Sequence, residues 1–160
     1  MSAERSFVFA DLAGYTALTE AHGDEDAAHV ATRFHDLARA ALPPGTALVK
    51  TIGDAVMVVA DDRPAGIRAA LAIAAAVRDQ RAFPSVRIGI HGGPAVARDG
   101  DYFGNTVNIA ARLAAVARGG EIVCSECIAT AALEHGLAGA RPMGAVRLKN
   151  VASPLTLYEL

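Results

Sequence analysis

The feature that most constrains the fold is a pair of apolar stretches, residues 46–51 and 54–60, with a glycine between them and an aspartate at the start of the second. Gly53 allows a tight turn with Asp54 at its tip, so the segment predicts a β-hairpin. A second apolar strand, residues 5–11, also ends in a carboxylate, Asp11. Asp54 alone fits an ordinary turn, where aspartate is common. Carboxylates at the ends of two buried strands together indicate a site for hard divalent cations.

The rest of the pattern predicts a single α+β domain over residues 1–160. Helices are expected from Thr16, over 27–42, from Pro64 to about 80, over 105–116 and after Ser125, because apolar residues recur at helical spacing there. Further strands are expected at 86–91, 95–97, 121–124, 146–148 and 155–158. This order is that of a ferredoxin-like βαββαβ sheet with helices on one face, followed by C-terminal strands.

Composition excludes several functional classes. A net charge of −2 argues against nucleic-acid binding, and no apolar run is long enough to span a membrane. The first five residues lead directly into a strand, so we expect no signal peptide. Cys124 and Cys127 form a C-x-x-C, which we interpret as two ordinary thiols near a helix start rather than a thioredoxin-like redox pair. This cysteine usage fits a reducing cytosol, so we expect a cytoplasmic protein.

Two further stretches carry polar residues that a plain core does not need. After Asp11, the small residues of segment 13–16 lead from a strand into a helix, where free backbone N–H groups can hold phosphate oxygens. In the helix at 105–116, Asn108 and Arg112 are four residues apart and share one face. An amide beside a guanidinium suits a phosphate group, although a solvated surface arginine is the plain alternative for Arg112.

These stretches resemble the catalytic domain of the class III nucleotidyl cyclases, the adenylate and guanylate cyclases, from Phe7 to Tyr158. The resemblance implies two divalent metal ions, Mg²⁺ or Mn²⁺, held by two aspartates, with a backbone carbonyl such as that of Leu12 completing the shell. The matching metal ligands in this chain are Asp11, Leu12 and Asp54.

The same resemblance assigns the nucleotide-binding residues. A lysine and an aspartate that read adenine match Lys50 and Asp101, and a lysine for the terminal phosphates matches Lys149, with Asn150 where the family usually has glycine. The asparagine and arginine that stabilise the transition state match Asn108 and Arg112. We assign the phosphate contacts after the first strand to Ala13, Gly14, Tyr15 and Thr16.

The resemblance implies an adenylate cyclase that converts ATP to 3′,5′-cyclic AMP and pyrophosphate. It also implies a homodimer in which Asp11 and Asp54 of one subunit face the nucleotide-binding residues of its partner. The arm at residues 92–100 is short, which leaves the strength of the dimer open. Three alternatives remain: a cyclase-like domain that binds nucleotide without turnover, a guanylate cyclase, which should carry Glu at position 50, and a plain ferredoxin-like interaction module.

Overall fold

A computed structural model describes residues 3–160 as one sheet with helices packed on both of its faces. The helices are α1 (Tyr15–His22), α2 (Asp24–Ala41), α3 (Arg63–Arg78), α4 (Asn105–Val116) and α5 (Glu126–Glu134). The strands are β1 (Ala3–Leu12), β2 (Thr46–Ile52), β3 (Ala55–Ala60), β4 (Val86–Arg98), β5 (Asp101–Phe103), β6 (Ile122–Ser125), β7 (Arg141–Val146) and β8 (Leu155–Glu159).

The sheet confirms the predicted α+β class. Its strand order is β2-β3-β1-β4-β6-β8-β7, and β5 pairs with β4 alone. Strand β1 is antiparallel to both β3 and β4, which is the βαββαβ arrangement expected from the sequence. The pairing of β4 with β6 is parallel and makes the sheet mixed. The last two strands extend the sheet beyond β6 as an antiparallel pair.

Strand β1 is the centre of the domain. Every residue from Ser6 to Ala10 is buried, because β1 lies between two strands and both of its faces are covered. Val8 and Ala10 point towards the main core, which is closed by α2, α3 and α5. Phe7 and Phe9 point to the opposite face, where they pack against α4. The continuous apolar run of β1 therefore reflects a strand buried on two sides.

The position of α4 corrects the expectation of helices on one face only. Its residues Val107, Ala110 and Ala114 pack with Phe7 and Phe9, on the face opposite α2 and α3. Gly89 of β4 permits this contact, because a Cβ there would lie 2.2 Å from the backbone nitrogen of Ala114. The sequence pattern predicted this helix and placed Asn108 and Arg112 on one side of it, but it did not show which face of the sheet the helix covers.

Two strand boundaries also differ from the expected ones. The sequence predicted a break at 92–94 between two strands. In the structure strand β4 continues without a break through Gly92 and Gly93 to Arg98. The glycines serve close packing instead: a Cβ on Gly93 would lie 2.7 Å from Thr106 Oγ1. Strand β7 lies at Arg141–Val146 rather than at 146–148, despite its proline and glycine. Because β7 is the edge strand, a proline is tolerated there, and a bulge between Pro142 and Gly144 absorbs the irregularity.

Within residues 3–160, no helix combines the length and the apolar character needed to cross a membrane.

Candidate active site

Asp11 and Asp54 come together at the C-terminal end of β1. The antiparallel register between β1 and β3 ends at the pair Ala10 and Val56, which places the β2–β3 turn beside Asp11. Asp54 Oδ2 accepts a hydrogen bond of 2.9 Å from the backbone N–H of Leu12. Burial raises the pKa of Asp11, and the charge of Asp54 adds to that rise, while the ion pair with Arg87 opposes it. The two carboxylates therefore form a half-buried anionic pair that a cation stabilises.

Arg87 is a member of this site that the sequence analysis missed. It lies directly opposite Asp11 in the β1–β4 register, and its guanidinium donates to both carboxylate oxygens. Its Nε is 2.7 Å from Asp11 Oδ1 and its Nη2 is 2.9 Å from Oδ2. The only signal in the sequence was a cation within the apolar strand 86–91, because its partner is 76 residues away.

The carboxylate pair fits a divalent metal of the Mg²⁺ or Mn²⁺ type. Both side chains offer hard oxygen atoms, and Leu12, whose backbone carbonyl is a further hard ligand, directly follows Asp11 in the sequence. Across the described residues 3–160, no three His, Cys, Asp or Glu side chains gather into a metal-binding group. A metal ion at Asp11 and Asp54 would therefore need further oxygen ligands from the backbone, water or a bound phosphate, as is usual for Mg²⁺.

The segment after Asp11 leads directly into α1. Gly14 occupies the N-cap position with φ 73°, and no side chain of the described residues caps the helix. The first hydrogen bond at this end runs from the Leu18 N–H to the Gly14 carbonyl, so the N–H groups of Tyr15 and Thr16 precede the helical ladder. Two of the four predicted phosphate-contacting residues thus offer donors at a helix N-terminus. The N–H of Ala13, in contrast, donates to the Ser85 carbonyl at 2.8 Å.

Lys50 and Asp101 form a second group. Lys50 Nζ lies 2.6 Å from Asp101 Oδ2, and Asp101 Oδ1 accepts a 2.7 Å hydrogen bond from the backbone N–H of Tyr102. The hydrogen bond from Lys50 holds the pKa of Asp101 below its usual value, so the carboxylate is an acceptor at neutral pH. Strand β2 carries Lys50 and the short strand β5 carries Asp101, 51 residues later.

Asn108, Arg112 and Lys149 form a third group. They line one open cavity of about 300 Å³ together with Ala111, Asn150 and Val151. Helix α4 supplies the amide and the guanidinium, and the turn after β7 supplies the lysine. The lining residues include two cationic side chains and no carboxylate among the described part of the chain, which makes the cavity suitable for an anionic ligand such as a phosphate chain.

The structure thus assembles the predicted residues in three groups rather than in one. Lys50 and Asp54 are close in sequence, yet Lys50 pairs with Asp101 whereas Asp54 contacts the end of β1. The C-x-x-C motif lies outside all three groups and contains free thiols. Burial raises the pKa of Cys124 to about 12, so this thiol is protonated and unreactive at neutral pH.

Comparisons with known proteins identify the family of the chain. A model of the adenylate and guanylate cyclase catalytic domain matches residues 2–158. A pH-sensitive adenylate cyclase of Mycobacterium tuberculosis is 40% identical over 120 residues, which cover 75% of this chain and 30% of that protein. An adenylate cyclase of Streptomyces griseus is 36% identical over 129 residues, which cover 80% of this chain and 32% of that protein. The chain therefore spans about a third of the length of these relatives.

Solved structures show the same fold. An adenylate/guanylate cyclase/hydrolase of Silicibacter pomeroyi superposes with a TM-score of 0.87 at 29% identity, covering 99% of this chain and 96% of that one. An adenylate cyclase of Trypanosoma brucei, solved in its monomeric state, gives a TM-score of 0.89 at 22% identity and covers 98% of this chain and 87% of that one.

Proposed function

Because this chain belongs to the adenylate and guanylate cyclase catalytic domain family, we propose that it is an adenylate cyclase that converts ATP to 3′,5′-cyclic AMP and pyrophosphate. The relatives named adenylate cyclase support the choice of ATP. Position 50 is lysine rather than the glutamate expected of a guanylate cyclase. Each of the three groups of side chains keeps the residue types that the reaction needs, which disfavours a nucleotide sensor without turnover.

One observation carries the proposal that the active site is shared between two copies of the chain. The cavity of Asn108, Arg112 and Lys149 can bind phosphates, but none of its lining residues in the described chain is a carboxylate that could hold a metal ion. The carboxylates Asp11 and Asp54 lie in a different group of the same chain. In a symmetric dimer, each cavity would face the carboxylate pair of the partner, and two equivalent sites would form at one interface.

The proposed roles follow from the chemistry of the side chains. Asp11 and Asp54 would hold two divalent metal ions, with the Leu12 carbonyl as a further ligand. When bound, such ions lower the pKa of the ribose 3′-hydroxyl and neutralise triphosphate charge. Arg112 would offset the charge that grows on the α-phosphate oxygens as the 3′-oxygen attacks. Asn108 would orient the ribose.

The remaining groups would bind the two ends of the nucleotide. Lys149 and the N-terminus of α1 would bind the phosphates, so that pyrophosphate leaves from a fixed position. Lys50 would donate to adenine N1 and Asp101 would accept from the adenine N6 amine. Lys50 has three N–H donors and each carboxylate oxygen has two lone pairs, so both can bind adenine while they remain paired. Guanine presents the reverse pattern and would leave both groups mispaired.

The direct test is to incubate the purified chain with ATP and Mn²⁺ or Mg²⁺ and to measure cyclic AMP and pyrophosphate. We expect equimolar products. Asp54→Ala and Arg112→Ala should each lose more than tenfold in rate, because the first removes a ligand that would hold the metal ions and the second removes a positive charge that would stabilise the transition state. Asp36→Ala and Arg39→Ala are matched controls, since these residues form an exposed ion pair within α2. Nucleotide binding without cyclic AMP would instead support a sensor.

Mixing the two inactive variants tests the shared site. In a heterodimer of Asp54→Ala and Arg112→Ala, one site carries both lesions and the other carries none. Activity should therefore return when the variants are mixed, towards a quarter of the wild-type rate per total chain at random pairing. If subunit exchange is demonstrated and activity does not return, the shared-site arrangement is wrong for this protein.

A further inference from the structure

The proposed metal site already contains a positive charge. Arg87 donates to both oxygens of Asp11, at 2.7 Å and 2.9 Å, in a parallel fork. A fork of this kind occupies the edge of the carboxylate that lies between its two oxygens. Metal ions held by Asp11 would bind through the same two oxygens, and their positive charge would then lie beside the guanidinium of Arg87. The ion pair in the structure and the proposed metal contact therefore oppose each other through repulsion between positive charges.

The surroundings show why a cation is present there. The charge of Asp54 raises the pKa of Asp11, and the charges of both carboxylates raise the pKa of Arg87. Without a cation, two neighbouring half-buried carboxylates repel each other. Arg87 offsets part of this repulsion, so that the strand ends can form in the absence of metal.

In the same conformation Arg87 also contacts the end of α4. Its Nη1 lies 3.5 Å from the carbonyl oxygen of Ala115, in the last turn of α4. Carbonyls at the end of a helix lack partners within the helix and attract cations. The Arg87 side chain is about one-third exposed, which leaves room for it to turn from Asp11 towards this helix end.

From this geometry we infer that Arg87 is a resident counter-ion of the carboxylate pair in the metal-free chain, which an entering metal ion displaces from Asp11 towards the C-terminal end of α4. The inference rests on the metal assignment in the proposed function. Its consequence is that Arg87 stabilises the metal-free chain and weakens the binding of metal. Such a site would be filled mainly when the nucleotide arrives and adds its own oxygen ligands.

The test is the binding of Mn²⁺ alone, without nucleotide, measured from the electron paramagnetic resonance signal of free Mn²⁺. Arg87→Gln should bind Mn²⁺ about threefold to tenfold more tightly than wild type, because the positive charge and the two-pronged contact with Asp11 are both removed. Arg63→Gln is the matched control, because Arg63 pairs with Glu4 rather than with Asp11 or Asp54. The distance from Arg63 Nη2 to Glu4 Oε1 is 2.6 Å. Arg63→Gln should leave the affinity unchanged.

Thermal unfolding gives a second readout. Arg87→Gln should unfold at a lower temperature than wild type in the absence of metal and should show the larger rise on addition of Mn²⁺. If Arg87→Gln does not fold, Arg87→Lys keeps the charge without the two-pronged fork and should give an intermediate affinity. Equal or weaker Mn²⁺ binding by the folded variants would overturn the inference, because Arg87 would then position Asp11 for the metal rather than compete with it.

The wild-type chain gives an independent measurement. The Nε–H resonance of Arg87, assigned by its loss in Arg87→Lys, should leave its carboxylate-bonded position as diamagnetic Mg²⁺ is added. A resonance that stays in place while Mg²⁺ binds would contradict displacement. If neither wild type nor Arg87→Gln binds a divalent ion, the metal assignment itself fails and the inference fails with it. If wild type binds and Arg87→Gln is not tighter, only the inference fails.

Discussion

Replacing Gly89 by alanine tests how closely α4 rests on the sheet. The new Cβ would lie 2.2 Å from the nitrogen of Ala114 and 2.6 Å from the carbonyl oxygen of Ala110. Both are backbone atoms of the helix, so no side-chain rotation can relieve the overlap. Ordinary contact begins at 3.4 Å, so α4 must move away from β4 by about 1 Å or more.

The size of the effect follows from this overlap. Forced overpacking costs about 1–3 kcal/mol, and a collision with three backbone atoms of α4 belongs at the upper end, about 3 kcal/mol. For a domain of this length, each kcal/mol lowers the melting temperature by about 2–4 °C, so Gly89→Ala should melt about 6–12 °C lower. Because α4 carries Asn108 and Arg112, a shift of about 1 Å should also reduce cyclase activity by about 100-fold.

Thermal unfolding followed by circular dichroism, together with the cyclic AMP assay below the melting transition, measures both effects. Gly139→Ala is the matched control, because its φ is not positive and no atom of the described residues lies within 4 Å of the place that the new methyl group would take. The control should melt within about 2 °C of wild type, as is usual for a surface substitution. A Gly89→Ala protein that melts with the control and keeps full activity would refute the close packing of α4 on β4.

Three shorter predictions concern other parts of the chain. Burial lowers the pKa of His91 from 6.5 to about 4, with a smaller contribution from nearby positive charge, so the unfolded chain binds the proton more readily. Stability should therefore rise by up to about 3 kcal/mol from pH 4 to pH 6.5, and His91→Gln should flatten that slope in denaturant titrations. In wild type we expect a preference for ATP over GTP that exceeds tenfold, measured as kcat/KM, because groups that a bound base covers and leaves mispaired cost about 1–3 kcal/mol each. Lys50→Glu should reduce this preference, and equal values for the two nucleotides in wild type would contradict the assignment of Lys50 and Asp101. If the exposed side chain of Phe103 lies in the dimer interface, Phe103→Ser should weaken the dimer. Specific activity, measured over a series of protein dilutions, should then fall most at low concentration.

The sequence predicted the elements whose signals are local. Strand β1, the β2–β3 hairpin and α4 follow from short apolar runs, a glycine at the turn and helical spacing, and their bounds differ from the prediction by at most two residues. The place of Asp54 followed from the same signals, because it lies in the turn of the predicted β2–β3 hairpin. The residue types at the candidate site were equally visible, since each lies within a short motif.

The parts that the sequence did not predict depend on contacts between distant segments. Arg87 meets Asp11 only through the register of β1 and β4, and register is set by the whole face that the strands bury. The side of the sheet that α4 covers depends on Gly89, whose missing side chain carries no signal of its own. Strand β7 contains a proline and a glycine that disfavour a strand locally, and its pairing with β8 and the packing of Met143 and Val146 stabilise it.

The uneven covering of the two faces explains how the site and the proposed dimer are connected. Three helices close the main core, whereas the opposite face is packed against α4. The hairpin of β2 and β3 and the hairpin of β4 and β5 expose large apolar side chains, with Ile52 51%, Val96 43% and Phe103 52% exposed. These two segments also carry Lys50 and Asp101, beside the exposed apolar residues. A second copy that buries the apolar residues would therefore bring its own carboxylates to the nucleotide-binding groups, so the same association that stabilises the dimer would complete the site.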